Sequence, residues 1–320
     1  MPASLEYLER CSAQTGYQVV ALEKVTRLGE IAGEIGRHPS LRDALALKGG
    51  TAINLCPGPP TRMSVDLDFN FVACADRHAM VQARPAMEKA LTDLVRRLGY
   101  QVQQSSEAAA SRKFYATYRS VLGPNDRVEL DINYLWRTPL AGVRRAELWQ
   151  PGELERPLVT VVSDEELWVG KFLAFLDRTA PRDAWDIARL PSIVPGLAQS
   201  PSFRQWLVAM SCILDHPIAT YDFDRLKSRL TAEVIESQLH PMLTRGDRPD
   251  PVELLATAWH VAQPFVTLRP AEAEFASRMQ RAELDASLIF GDDDKAARRF
   301  ETHPQVMWKI QNLRRHIGHG

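Results

Sequence analysis

Ser64-Val65-Asp66-Leu67-Asp68-Phe69-Asn70-Phe71-Val72 alternates without a break. Val65, Leu67, Phe69 and Phe71 fall on one side of an extended chain, and Ser64, Asp66, Asp68 and Asn70 fall on the other. Side chains on a strand repeat every two residues, so the stretch predicts a half-buried strand with two carboxylates on its polar face. Val128-Glu129-Leu130-Asp131-Ile132-Asn133-Tyr134-Leu135 alternates in the same way, with Glu129, Asp131 and Asn133 on its polar face. Upstream of the first strand, Ala44-Leu45-Ala46-Leu47 is a short apolar run, either a strand or the end of a helix. Gly49-Gly50 reads as a tight turn, Thr51 to Leu55 as one or two helical turns, and Cys56-Pro57-Gly58-Pro59-Pro60 as a loop.

Working outward, Val19, Leu22, Val25, Leu28, Ala32 and Ile35 recur at helical spacing until His38-Pro39. A helix is predicted over 79–98 and a strand over Lys113 to Val121. Beyond about residue 155 the periodicity is helical. Helices are predicted over Leu167 to Leu176, over Arg182 to Leu190 behind Pro181, and over 202–214, 225–240, 252–262, 271–289 and 304–316. The fold class expected is α/β (α+β): an N-terminal domain with a small mixed sheet, residues 1–160, followed by an all-helical C-terminal domain, residues 161–320.

Bulk properties narrow the function. The 320 residues are 45% apolar and 25% charged, which is ordinary globular composition. No apolar run reaches the roughly 18 residues of a membrane span. The first ten residues carry acids where a secretion signal would be basic and then apolar. Cys11, Cys56, Cys74 and Cys212 form no CxxC pair, which argues against a zinc site or a disulfide framework and fits a reduced, cytoplasmic setting. The net charge of -1 means that any nucleic-acid contact needs a local basic face.

The chemistry is concentrated around the first strand. Glycines let backbone N–H groups approach phosphate, so Gly49, Gly50 and Thr51 can cradle a triphosphate. Asp66 and Asp68 can hold Mg²⁺, which binds few carboxylates and shares its shell with phosphate oxygens and water. Asp131 is the preferred third carboxylate, with Glu129 as the alternative on the same face.

Leu47-Lys48-Gly49-Gly50-Thr51-Ala52 followed by Arg62-Met63-Ser64-Val65-Asp66-Leu67-Asp68-Phe69 resembles the first motif of the AbiEii/MenT-type nucleotidyltransferase toxins, within the DNA polymerase β-like superfamily. Lys113-Phe114-Tyr115-Ala116-Thr117-Tyr118 and Glu129-Leu130-Asp131-Ile132 are similar to the family's next two strands. Lys171 to Arg178, Pro181 to Ile187 and His303 to Lys309 resemble its helical motifs. The resemblance implies a metal-dependent nucleotidyltransferase domain. It would release pyrophosphate from an NTP and transfer NMP to the 3′ end of tRNA, as a toxin neutralised by a cognate antitoxin. It implies Mg²⁺ on Asp66 and Asp68, nucleotide phosphate at Thr51, and Lys171 with Asp183 completing the site, Lys171 on the triphosphate. Ser64 matches a serine that takes nucleotide or phosphate in some members. The alternative is a small-molecule or protein nucleotidyltransferase on the same fold.

Bland readings stand beside these. Lys48 can neutralise phosphate or be an exposed lysine at a strand end, and Arg112-Lys113 can bind the nucleotide or acceptor or be a solvated strand edge. Lys171 can snorkel from its helix, and Asp186 can pair with Arg182 or Arg189. Arg96-Arg97, Arg112-Lys113 with Arg119, Arg137 with Arg144-Arg145, Arg178 with Arg182, Arg298-Arg299 and Arg314-Arg315 are the basic candidates for an RNA face.

Overall fold

A computed structural model of the chain describes residues 3–317. It divides into two compact units, one running to Ser163 and taking in Leu239–Arg248, the other made of Asp164–Gln238 and the chain from Pro249 on.

The first unit contains α1 (Leu5–Thr15), α2 (Val19–Arg37), β1 (Leu45–Lys48), α3 (Gly49–Leu55), β2 (Asp66–Phe71), α4 (Arg77–Arg97), β3 (Gln101–Gln104), β4 (Ser111–Arg119), β5 (Asn125–Asn133), β6 (Val143–Glu147) and β7 (Leu158–Val162). Its seven strands form one mixed sheet in the order β3-β4-β5-β2-β1-β7-β6. The alternating stretch is β2, which runs antiparallel to β1 and parallel to β5. Leu67, Phe69, Phe71, Val128, Leu130 and Ile132 are all buried, and α2 packs against β2, β5 and α4 on the apolar side. Three strands escaped the sequence reading. β3 and β6 are short and largely exposed at the two edges, so they carry no alternation. Leu158 to Val162 is an unbroken apolar run, which periodicity cannot assign.

Gly29, Gly33 and Gly36 line the side of α2 that meets the segment entering β7. A Cβ at Gly36 would lie 2.4 Å from the carbonyl oxygen of Leu158, and one at Gly33 2.9 Å from the Pro157 ring. Gly33 and Gly36 therefore set how closely the helix approaches β7. Glu23, buried on α2, accepts hydrogen bonds from Ser120 Oγ (2.7 Å) and Val121 N–H (3.1 Å), which ties the helix to the β4–β5 turn.

The second unit is helical: α5 (Asp164–Arg178), α6 (Pro181–Ile193), α7 (Pro201–Met210), α8 (Phe223–Lys227), α9 (Ala232–Gln238), α10 (Pro251–Val266), α11 (Pro270–Gln280), α12 (Ser287–Phe290), α13 (Asp294–Glu301) and α14 (Pro304–Ile317). Phe172, Phe203 and Phe265 meet edge to face with centroids 5.2–5.6 Å apart and tie α5, α7 and α10 together. Two of the predicted helices are broken. The stretch 225–240 is split between α8 and α9, and 271–289 turns after α11, where Ala282 adopts φ 58°. The apolar stripe ran through both breaks because each side of the turn buries its residues in the same core.

Glycine replacements test the close approach on α2. Gly36→Ala is expected to lower the unfolding free energy by about 1–2 kcal/mol, because a backbone oxygen must move to admit the methyl group. Gly170→Ala on α5, where a Cβ would meet nothing within 4 Å, is expected to raise it by about 0.5–1 kcal/mol. Urea denaturation reads both.

Candidate active site

The ladder registers place four charged residues in one row across four strands. Lys48 on β1 lies opposite Asp68 on β2, Asp68 beside Asp131 on β5, and Asp131 opposite Lys113 on β4. The next row holds Asp66, Glu129 and Tyr115. All of these residues are part-exposed, so the polar face is open to solvent while its reverse is core. The sheet thus brings Asp66, Asp68 and Asp131 onto one face, with Lys48 and Lys113 at the ends of the Asp68 row.

The two candidates for third carboxylate differ in their surroundings. Glu129 accepts a short hydrogen bond from Lys113 Nζ, and this bond, with the carboxylate's charge, raises the lysine pKa. Asp131 Oδ2 lies 4.0 Å from the same ammonium, while its Oδ1 is buried without a hydrogen-bond partner. Burial pushes the Asp131 carboxyl above the ordinary carboxylate range, and Asp68 pushes the same way against the opposing pull of Lys48 and Lys113. An orphaned oxygen next to a second carboxylate is a place where a proton or a cation lowers the energy.

The glycines lie against this row. Gly49 and Gly50 are the first residues of α3 rather than a turn preceding it, and Gly49 has φ 70°. A Cβ at Gly49 would stand 2.5 Å from Asp68 Oδ2, and one at Gly50 would stand 2.8 Å from an Arg62 guanidinium nitrogen and 2.9 Å from Ser64 Oγ. Glycine here does more than permit the backbone conformation: it leaves the Asp68 carboxylate unobstructed.

Thr51 sits differently from what a phosphate contact needs. It is fully buried, and its hydroxyl bonds to the Asp66 carbonyl (2.5 Å) and to Ser64 Oγ (3.0 Å). It fastens α3 to β2 at the point where β1 has run out of residues to pair. Ser64 is itself 6% exposed. Met63 N–H donates to the carbonyl of Met242 (2.7 Å), so the late segment Leu239–Arg248 holds the chain just before β2. Trp149 N–H caps the far end of α3 through the carbonyl of Leu55 (2.7 Å).

Among the described residues, no three His, Cys, Asp or Glu side chains form a ready metal cage. Hard oxygen donors, an orphaned carboxylate oxygen and a face carrying four acids against two lysines nevertheless fit a divalent cation that completes its shell with phosphate oxygens and water. Arg62 was not assigned a role from sequence. It is 2% exposed and donates to the carbonyl of Met63 (2.9 Å) beneath Gly50. A lone arginine between a Pro-rich loop and an acidic strand was its only signal.

Lys171 and Asp183 lie in the second unit, where they meet each other. Lys171 Nζ is 2.8 Å from Asp183 Oδ1 and 2.8 Å from Asp186 Oδ2, so two buried aspartates answer the buried ammonium. Asp186 therefore pairs with Lys171. Arg178 Nε donates to Asp183 Oδ2 (2.7 Å) across the turn between α5 and α6, where Thr179 has φ 51°. Burial alone would raise the Asp183 pKa, but Lys171 and Arg178 together hold it well below the ordinary carboxylate range.

Several basic candidates are already engaged. Arg112 points to the α4 side and bonds Glu88 (2.5 Å), away from Lys113. Arg137 is buried and donates to the carbonyls of Ala75 (2.7 Å) and Tyr134 (3.1 Å). Arg145 donates to the Leu158 carbonyl (3.0 Å) and Thr160 Oγ1 (2.8 Å). Arg96, Arg97, Arg119, Arg314 and Arg315 remain exposed.

Comparison with known proteins places the chain in a family. The family model described as "Nucleotidyl transferase AbiEii toxin, Type IV TA system" matches residues 36–261. No curated protein sequence matches the chain significantly. Among solved structures, the chain is similar to the MenT4 nucleotidyltransferase toxin of Mycobacterium tuberculosis. The TM-score is 0.59 at 16% identity, covering 94% of this chain and 98% of that one. Among the described residues, no helix is long and apolar enough to cross a membrane.

The buried cluster of the second unit makes a stability prediction. A depressed folded-state pKa for Asp183 contributes stability that is present above its unfolded value of about 3.9 and is lost as pH falls below it. Lys171→Met leaves Asp183 and Asp186 short of their cation. Its expected cost is about 3–5 kcal/mol at neutral pH, shrinking on acidification. Denaturation midpoints measured between pH 3 and pH 7 check the sign.

Proposed function

Since the chain belongs to the AbiEii nucleotidyl transferase toxin family of type IV toxin–antitoxin systems, we propose that it transfers NMP from an NTP to the 3′ end of tRNA and so blocks aminoacylation. The reaction centre in this reading is the Asp66, Asp68 and Asp131 face beside Gly49. The observation that carries it is the row Lys48, Asp68, Asp131, Lys113, laid against a glycine whose missing side chain leaves Asp68 open.

Asp66 and Asp68 would hold Mg²⁺ in this reading, with Asp131 as the third acid. The bound cation would supply charge neutralisation for the triphosphate and its leaving pyrophosphate. Asp131 takes the proton of the acceptor hydroxyl on its carboxylate, whose Oδ1 has no hydrogen-bond partner within the protein. The acceptor oxygen bonds to the α-phosphorus, the α–β anhydride bond breaks, and pyrophosphate leaves. Lys48 and Lys113 offset the negative charge gathered on the row. Glu129 orients Lys113 rather than taking a place among the metal ligands. Thr51 and Ser64 contribute by fixing α3 against β2, so that Gly49 and Gly50 present backbone to phosphate. Lys171 and Asp183 anchor Arg178, whose side chain is 64% exposed and can meet an anion. A cognate antitoxin is the partner expected for a toxin of this family.

The test is incubation of the purified chain with each labelled NTP, Mg²⁺ and total tRNA. Label on tRNA 3′ ends is expected with the wild type. Asp68→Ala and Asp131→Ala are each expected to lower transfer by at least about a hundredfold, from lost charge stabilisation. Gly49→Ala is expected to be as damaging, because its methyl group and Asp68 claim the same space. Label on a small molecule or protein and none on RNA would refute the tRNA reading while leaving the nucleotidyltransferase.

A further inference from the structure

α14 carries a surface that the catalytic reading does not use. Its inner face is Val306 and Ile310, both buried. Its outer face is formed by Met307, Trp308, Gln311, Arg314 and Arg315, all exposed. Trp308 is 50% exposed and Met307 38%, uncommon for side chains of this size. Residues seven apart on a helix lie nearly in register, so Trp308 aligns with Arg315 and Met307 with Arg314, with Gln311 between the two stripes.

The charge on this helix is one-sided. Pro304–Ile317 contains Lys309, Arg314 and Arg315 and no acid, in a chain whose net charge is -1. Lys309 donates to the carbonyl of Leu214 (2.7 Å), so it serves the fold, whereas exposed Arg314 touches the Ala282 carbonyl with one guanidinium nitrogen at the long distance of 3.5 Å. Arg298, on the preceding helix, is answered by Asp294 at 3.8 Å and is not part of the surface. The helix also lies outside residues 36–261, the stretch that the family model matches.

We propose that this face of α14 docks a single-stranded stretch of RNA. Trp308 stacks on an unpaired base, Gln311 hydrogen-bonds sugar or phosphate, and Arg314 and Arg315 take backbone phosphates. An apolar protein partner would match a contiguous greasy patch. Here the apolar side chains are followed one turn on by the Gln311 amide and two turns on by a guanidinium, the mixture suited to a strand with exposed bases and a charged backbone. The inference rests on the RNA-acceptor reading above and adds where the acceptor is held.

The test uses the full chain, a fluorescent tRNA pool and a labelled single-stranded RNA oligonucleotide, with binding read by anisotropy at several salt concentrations. Trp308→Ala is expected to weaken binding at least about fivefold. Arg314→Gln with Arg315→Gln is expected to flatten the log–log salt slope by about 1.4, roughly 0.7 for each lost phosphate contact on a single strand. In the transfer assay, the KM for tRNA rises while kcat at saturating tRNA holds. Circular dichroism and urea midpoints matching the wild type exclude misfolding. Wild-type affinity and salt slope in both variants would overturn the docking surface. That holds also if the variants instead lose a protein partner. If the wild type labels tRNA while the variants behave as wild type, the docking surface alone is wrong. If the wild type neither binds nor labels RNA, the acceptor reading fails and the surface with it.

Discussion

Two aspartates held side by side on neighbouring strands repel each other, and the site depends on how the fold contains that repulsion. Adjacent strands lie roughly 4.8 Å apart, so Asp68 and Asp131 cannot avoid one another once β2 and β5 pair in register. Like charges in that position destabilise a sheet. The compensation is built into the same row, with a lysine at each end, one from β1 and one from β4. It is incomplete, because burial and Asp68 still push the Asp131 carboxyl upward. A residual electrostatic debt of this kind is what a catalytic cation or an incoming proton relieves, and it persists only because the core beneath is rigid.

That rigidity comes from distant parts of the chain. β2 is short, and on one side its pairing with β1 ends at Lys48 and Asp68. Thr51 continues the attachment through the Asp66 carbonyl, and Met242, nearly two hundred residues away, holds Met63. On the reverse face, α2 approaches β7 closely because Gly33 and Gly36 carry no side chain where they meet Pro157 and Leu158. The acids therefore stand on a sheet pinned from behind, from the side and from above the α3 turn. Gly49 keeps the open side open.

The second unit handles charge in the opposite manner. Lys171, Asp183 and Asp186 are buried and mutually satisfied, and Arg178 extends the set toward solvent. Where the sheet leaves one carboxylate oxygen unpartnered, the helical pair leaves its ammonium fully answered. Breaking such a buried pair costs more than its presence adds to stability, so this cluster acts as a constraint on the α5–α6 turn. The left-handed Thr179 at that turn is held in place by the same contacts.

Much of this was legible from residues alone. The alternation of β2 and β5 is a local property, and it puts Asp66, Asp68 and Asp131 on polar faces. The helical periodicities of α2, α4, α5, α6, α10 and α14 were equally local. What could not be read locally was partnership. Lys48 and Lys113 could be read either as anion contacts or as solvated strand ends, and only the registers of β1 and β4 bring them to the acids. Thr51 looked like a phosphate donor, and only its burial against β2 assigns its hydroxyl to the backbone. Arg112 and Lys113 looked like one basic pair, and the sheet sends them to opposite faces. Sequence by itself determined which faces are apolar and which carry acids, because a side chain's direction along a strand or helix follows from the chain's own geometry. Tertiary structure decided which acid keeps an unpartnered oxygen and which lysine answers which aspartate, because those depend on strands and segments far apart in the chain being brought into register.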